Sequence, residues 1–301
     1  MHAYHHGRHE HGQNFLHDKT IQKSILEHVK TTTGPIIEIG PGAGALTKHL
    51  VHLERPLRAV EIDRRLAESL AQRVGKKVEV VHDDFLHYRL PHIPHVLVGN
   101  LPFHLTTAIL RRIFRAPGWK HAILLVQWEV ARRRAGVGGA TMMTAQWWPW
   151  FDFELGRRVP ARAFTPRPNV DGGVLIITRR QDPLIPPRSR QAFQTMVHKI
   201  FTGGGKGIAQ IATRAQLFRT TREARRWAIG AGLDPHALPK DLSAHQWVEL
   251  FQAGKTPRNE VPRFLFLGLC LNFHYFSTGV VFPKLGFDFS RRAVAQALVE
   301  P

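Results

Sequence analysis

"GPIIEIGPGAGALTKHL", residues 34–50, is the stretch on which the fold turns. "IIEI" is a short run of the kind a buried strand needs, and glycines at 40, 42 and 44 stop it. "ALTKHL" then opens a helical pattern. Glycine lets a backbone turn sharply and approach a ligand closely, and a helix start beyond it adds partial positive charge. Alone, the turn is compatible with NAD, a nucleotide, S-adenosylmethionine, or no ligand at all.

The next acids narrow the choice. Glu61 lies 21 residues beyond Gly40, at the end of the apolar run "LRAVEID" (57–63), where a carboxylate accepts from ribose hydroxyls. Asp84 ends a third run, "KVEVVHDDF" (77–85), and is placed to accept from an adenine exocyclic amine. The glycines run G-x-G-x-G rather than G-x-G-x-x-G, and Glu38 stands just before them. Negative charge there opposes a pyrophosphate and suits a cationic sulfonium. The reading moves from NAD to S-adenosylmethionine.

Working outward, "TIQKSILEHVKTTT" (20–33) puts Ile21, Ile25, Leu26 and Val29 on one helical face, with Asp18 as N-cap. "RRLAESLAQRV" (64–74) is a helix, "HVLVGNLPF" (95–103) a fourth strand, and a helix near 105–116 precedes the strand "HAILLVQ" (121–127). Strand alternating with helix predicts a doubly wound α/β domain: a parallel sheet covered on both faces, with ligands at the strands' carboxyl ends. "DGGVLIITRR" (171–180) adds a further strand, and the Pro-rich "QDPLIPPRSR" (181–190) marks a boundary. Four short helices follow to residue 254, with Arg and Lys on their polar faces. The expected organisation is a Rossmann-like catalytic domain with an N-terminal arm (1–182), a small basic helical domain (183–254), and an apolar, aromatic tail (255–301).

Composition points the same way. There are 42 Lys and Arg against 23 Asp and Glu, a formal net charge of +19. Such a surplus favours a polyanion, nucleic acid ahead of an acidic membrane surface. The single cysteine, Cys270, excludes a disulfide framework, and no metal site is expected. The N-terminus "MHAYHHGRHEHG" lacks an apolar signal region, and its histidines read as a solvated arm. The longest apolar run, "FLFLGLCLNF" (264–273), is about half of what spans a bilayer, so a cytoplasmic protein is expected.

"GNLPF" (99–103) asks for more than turn chemistry, because no turn requires Phe103. Together with "GQNFL" (12–16), "EIGPGAG" (38–44), "VEID" (60–63), "DDF" (83–85) and "FTPRPNVDGG" (164–173), it resembles the rRNA adenine N6-dimethyltransferases over residues 7–254. Within that family, "ARRRAGVGGATMMTAQWWPWFDF" (131–153) is similar to the macrolide-resistance branch, which methylates 23S rRNA. The housekeeping small-subunit branch usually has tyrosine at the Phe103 position and "VDS" where this chain has "VDG".

The resemblance implies S-adenosylmethionine as cofactor and a set of roles. Asn14 and Leu16 would line its methionine end, with Gly40 beneath and Gly42 in the same turn. Glu61 would hold the ribose with Ile62 beside it, and Asp84 the adenine next to Phe85. Asn100 would sit between the methyl and the target amine. Phe103 would stack on the extruded adenine, and Phe164 would help enclose it. The reaction implied is mono- or dimethylation of an adenine N6 in 23S rRNA, on protein-free or assembling particles, by a monomer. Macrolide, lincosamide and streptogramin B resistance would be the consequence.

The chemistry has its own logic. Adenine N6 is a poor nucleophile because its lone pair is delocalised. The Asn100 Oδ1 and Leu101 carbonyl, accepting from the two N6 hydrogens, would favour a pyramidal nitrogen. Pro102 fixes the turn and removes a competing N–H. Other features carry blander readings. Phe103 could be a core ring, Trp147, Trp148 and Trp150 read as packing, and "ARRR" (131–134) is either a solvated face or an RNA contact. "KIFTGGGKG" (199–207) lacks the Walker spacing and reads as a helix connection. The rivals are a housekeeping 16S rRNA dimethyltransferase and, in another class, a non-catalytic RNA-binding assembly factor.

Overall fold

The computed structural model describes residues 14–254. The histidine-rich arm and the tail 255–301 lie outside the described residues. Seven strands form the central sheet: β2 (Ile36–Ile39), β3 (Leu57–Glu61), β4 (Glu79–His82), β5 (His95–Asn100), β6 (Trp119–Gln127), β7 (Phe151–Val159) and β9 (Gly172–Arg179), in the order β4-β3-β2-β5-β6-β9-β7. β1 (Phe15–Leu16) and β8 (Phe164–Thr165) pair separately, antiparallel, with Leu16 opposite Phe164.

The expectation of a parallel sheet holds for the five strands from β4 to β6. It fails at β9 and β7, which run antiparallel to their neighbours. No crossover helix separates these last strands: β9 follows β7 after a 3-10 turn and the short β8, and returns along it, which is how antiparallel pairs are joined.

Alternation sorts the strands' side chains onto two faces. Val96 and Val98 of β5 join one buried cluster with Ile21, Ile25 and Val29 of α1 (Lys19–Lys30). Leu97, between them, joins another with Ile109, Leu110 and Ile113 of α4 (Thr106–Arg115). Asp18 caps α1 as its sequence position predicts, accepting from the amides of Thr20 and Ile21 at 2.9 and 3.2 Å. The helix after the glycine turn is shorter than expected: α2 covers only Thr47–Leu50, followed by a 3-10 turn. α3 (Arg64–Val74) joins β3 to β4.

Beyond β6 come α5 (Trp128–Arg134) and α6 (Met142–Trp147), then α7 (Arg190–Thr202), α8 (Ile208–Arg214), α9 (Thr221–Gly230) and α10 (Ala244–Ala253). The larger apolar cluster continues from the sheet into these last helices. Trp150 meets Phe193 edge to face at 5.7 Å, Phe193 meets Phe251 at 5.3 Å, and Phe201 stacks on Trp247 at 5.6 Å. Trp147 and Trp150 are buried, which is the packing role read for them. Arg132 pairs with Glu129 at 3.1 Å, Arg133 is exposed, and Arg134 Nη1 donates to the Thr141 hydroxyl. Residues 203–207 connect α7 to α8, with the Lys206 amide donating to Gln210 Oε1 at 2.8 Å.

The chain leaves β2 outward through β3 to β4, then crosses back to β5 on the other side of β2. A crevice opens at this reversal, outside the strands' carboxyl ends. Gly99 lets β2 and β5 approach there: a Cβ at that position would lie 2.7 Å from the Ile39 carbonyl oxygen.

Candidate active site

The glycine turn is built from positive φ angles, +60° at Gly40, +55° at Gly42 and +79° at Gly44. The Gly40 amide donates to the Val60 carbonyl at 2.9 Å, tying the turn to the end of β3. A Cβ on Gly40 would meet nothing within 4 Å, so its free side faces open space. A Cβ on Gly42 would press on the Phe15 ring at 3.0 Å. That open space is a cavity lined by Asn14, Leu16, Gly40, Gly42, Glu61, Ile62, Asn100, Leu101 and Pro102 among the predicted residues.

Glu61 is buried, and both its oxygens are engaged. Oε2 accepts from the Gly42 amide at 2.8 Å and Oε1 from the Asp63 amide at 3.0 Å. A carboxylate has about four acceptor positions, so two backbone donors leave capacity toward the cavity. Ile62 beside it is 43% exposed, an apolar surface of the kind a planar ring covers. Glu38 also lines the cavity, and its Oε2 accepts from the Thr47 hydroxyl at 2.7 Å. Burial pushes its carboxyl up to about 7, against the Thr47 hydrogen bonds that lower it. The negative charge assumed at Glu38 in weighing cofactors is therefore only partly present at neutral pH; Glu61 carries the rest of that argument.

At the end of β5, Asn100 Nδ2 donates to the Asn14 carbonyl at 2.7 Å, across 86 residues of chain. Its Oδ1 accepts no hydrogen bond among the described residues, so the amide keeps an acceptor free at the cavity wall. The Leu101 amide donates to Leu125 O at 2.9 Å, and the Pro102 carbonyl accepts from the Leu105 amide at 3.0 Å. These bonds fix the turn on both sides of Leu101 and Pro102. Phe103 is half-buried and meets Phe164 edge to face at 6.2 Å.

Four predicted residues do not line the cavity. Phe103 stands outside it, supported by Phe164, a buried residue of β8 paired with Leu16 of β1. Phe85 is packed in the larger apolar cluster. Asp84 holds its own turn, Oδ1 accepting from the Leu86 amide at 2.8 Å and Oδ2 lying 3.1 Å from His87 Nδ1. Its link to the site runs through Asp83, whose amide donates to the Glu61 carbonyl at 3.0 Å. Lining residues that the sequence reading did not assign include Phe15, Pro41, His104 and Leu105. Phe15 sits inside a quoted motif, so that signal was present; His104 follows "NLPF" and had none.

A family model described as ribosomal RNA adenine dimethylase matches residues 4–255. The chain belongs to the ribosomal RNA adenine dimethylase family. Among relatives, an rRNA adenine N-6-methyltransferase of Corynebacterium diphtheriae is 62% identical over 219 residues, covering 72% of this chain and 87% of that protein. The mycinamicin-resistance protein MyrB of Micromonospora griseorubida is 46% identical over 247 residues, covering 82% and 78%. Among solved structures, the 23S rRNA methyltransferase ErmE matches with a TM-score of 0.73 at 32% identity, covering 80% of this chain and 99% of that one.

As a ribosomal RNA adenine dimethylase the chain is an rRNA methyltransferase that uses S-adenosylmethionine, and its cavity fits that cofactor. Room is left over Gly40, two acids, Glu38 and Glu61, line the cavity as suits a cationic cofactor, and Ile62 offers an exposed apolar face beside Glu61. No helix among the described residues is long and apolar enough to cross a membrane.

Proposed function

We propose that this enzyme methylates N6 of one adenine in 23S rRNA and thereby confers resistance to macrolides, lincosamides and streptogramin B. The observation that carries the mechanism is the Asn100 amide, anchored through Nδ2 to Asn14 and left with a free acceptor. In this reading Oδ1 and the Leu101 carbonyl accept from the two N6 hydrogens and turn the nitrogen lone pair out of conjugation. The cofactor supplies an electrophilic methyl on a sulfonium. Phe103, backed by Phe164, offers the base a stacking platform worth about 1–3 kcal/mol. The methylated amine is acidic enough to lose its proton to water, so the site needs orientation and electrostatics rather than a strong base.

Asn14, Leu16, Gly40, Gly42, Glu61 and Ile62 hold the cofactor, and Asp84 and Phe85 support its adenine end. Residues 183–254 add basic surface for rRNA, with Arg222, Arg225 and Arg226 exposed on α9. The enzyme acts as a monomer in the cytoplasm, on protein-free or assembling particles where a base can be extruded. The choice of 23S over 16S rRNA rests on the MyrB and ErmE likenesses and on Phe103.

Incubation with labelled cofactor and protein-free 23S or 16S rRNA, followed by primer-extension mapping, tests this. Label at one adenine of 23S rRNA is expected. Label in 16S rRNA alone would replace the reading with small-subunit biogenesis, and label in neither would leave a non-catalytic assembly factor.

A further inference from the structure

Glu38 and Glu61 form a pair of buried acids on neighbouring strands, both facing the same cavity, but their surroundings differ. Glu61 is held by two backbone amides. Glu38 has the Thr47 hydroxyl and amide from α2 and the like-charged Glu61 carboxylate from β3; no cationic side chain is among the groups acting on it. A buried carboxyl without a cation, next to another carboxylate, holds its proton unless positive charge arrives.

We propose that Glu38 is the specificity residue by which the site tells a cationic cofactor from its neutral spent form, releasing a proton as the cation enters and recovering it when the thioether remains. This rests on the methyl-transfer reading above. S-Adenosylmethionine and its demethylated product share their adenosine and amino-acid groups and differ by one methyl and one positive charge. Shape separates them only through that one methyl. A charge inside a low-dielectric cavity is a stronger handle. With its carboxyl titrating at about 7, Glu38 divides between its two forms at neutral pH, so either ligand meets a partly matched site. The cation draws Glu38 into the ionised form, whereas the neutral product leaves that division unchanged. The proton balance closes on solvent: one carboxylic acid becomes one carboxylate and one buffered proton.

Calorimetric titration at pH 7 in two buffers of different ionisation enthalpy reads this directly. The wild-type chain is titrated with S-adenosylmethionine, with the thioether product, and with an unreactive analogue carrying an amine-bearing carbon in place of the methylated sulfur. Net proton release is expected with both cations, and little with the product. The affinity ratio of cofactor to product should rise about tenfold between pH 6 and pH 8. Glu38→Gln keeps the acceptor for Thr47 and cannot ionise, so its proton release should vanish and its ratio become independent of pH. That arm also subtracts any titration of the ligands' own amino groups. A thermal melt checks the variant's fold, and the wild-type comparison stands without it. Equal proton exchange with cofactor and product, or none with the cofactor, would overturn the proposal. Binding and methyl transfer without differential proton release would sink this inference alone; failure of methyl transfer to rRNA would sink the functional reading.

Discussion

A carboxamide can be turned end for end with little change in packing, and at Asn100 the Asn14 carbonyl selects the orientation. Replacing Asn100 by Ala removes the acceptor and leaves the glycine turn, Glu38 and Glu61 in place. Turnover should fall by roughly 100-fold or more, the scale for deleting one preorganised polar group, while cofactor affinity changes only a few-fold. Parallel methyl-transfer and calorimetric measurements check this; equal losses in both would remove Asn100 from its role. Far from the site, at the start of β5, His95 is buried with Nδ1 2.8 Å from the Ile93 carbonyl and, among the described residues, Nε2 without a partner. Burial, with the Arg179 charge assisting, lowers its pKa from the usual histidine value. A depressed pKa means the unfolded chain binds the proton more readily. The stabilising contribution is therefore full above the unfolded value of about 6.5 and is lost as pH falls through the folded one. His95→Gln, which does not titrate, should lose less melting temperature than the wild type between pH 7 and pH 5.

Among the elements, β2 and β5 approach closely at Gly99. Gly99→Ala would set a methyl 2.7 Å from the Ile39 carbonyl, backbone that cannot swing aside. Forced separation of the strands should cost about 1–3 kcal/mol in a denaturant titration and disturb both Gly40 and Asn100. At α10, Ser243 and Gln246 cap each other's backbone amides at 3.3 and 2.8 Å. Ser243→Ala should cost about 1 kcal/mol and leave methyl transfer intact. Elements like β2, β5 and β6 were legible because a strand buried on both faces must be a run of apolar residues. β7 was not: Phe151–Val159 is an edge strand carrying Asp152, Glu154, Arg157 and Arg158, and half-solvated strands lose that signature. The site divides the same way. Glu61 and Asn100 sit at strand ends, where the spacing of acids and glycines marks them. Phe15 lies within "GQNFL" and so carried a signal, whereas His104 lines the cavity with no motif of its own to mark it.

At the scale of the molecule, the formal charge of +19 sets how the enzyme meets RNA. Affinity for a 23S rRNA fragment should fall by more than about tenfold between 50 and 200 mM salt, with a linear log–log plot, because each phosphate contact releases counterions. A flat plot would mean the basic surface is not the binding face. The Asn14–Asn100 bond also works across the molecule, since it fastens the segment leading into β1 to the middle of the sheet. Its consequence concerns which purines the enzyme accepts. An amide oxygen facing the purine 6-position is matched by an amino group and opposed by a keto group, oxygen against oxygen. An RNA with inosine at the target position should therefore compete at least about five-fold more weakly than its adenosine parent, the cost of one mismatched buried hydrogen bond. One with 2,6-diaminopurine there should compete as well as the parent. Under the proposed mechanism the backbone of residue 14, which never needs to touch the base, decides between amino and keto purines.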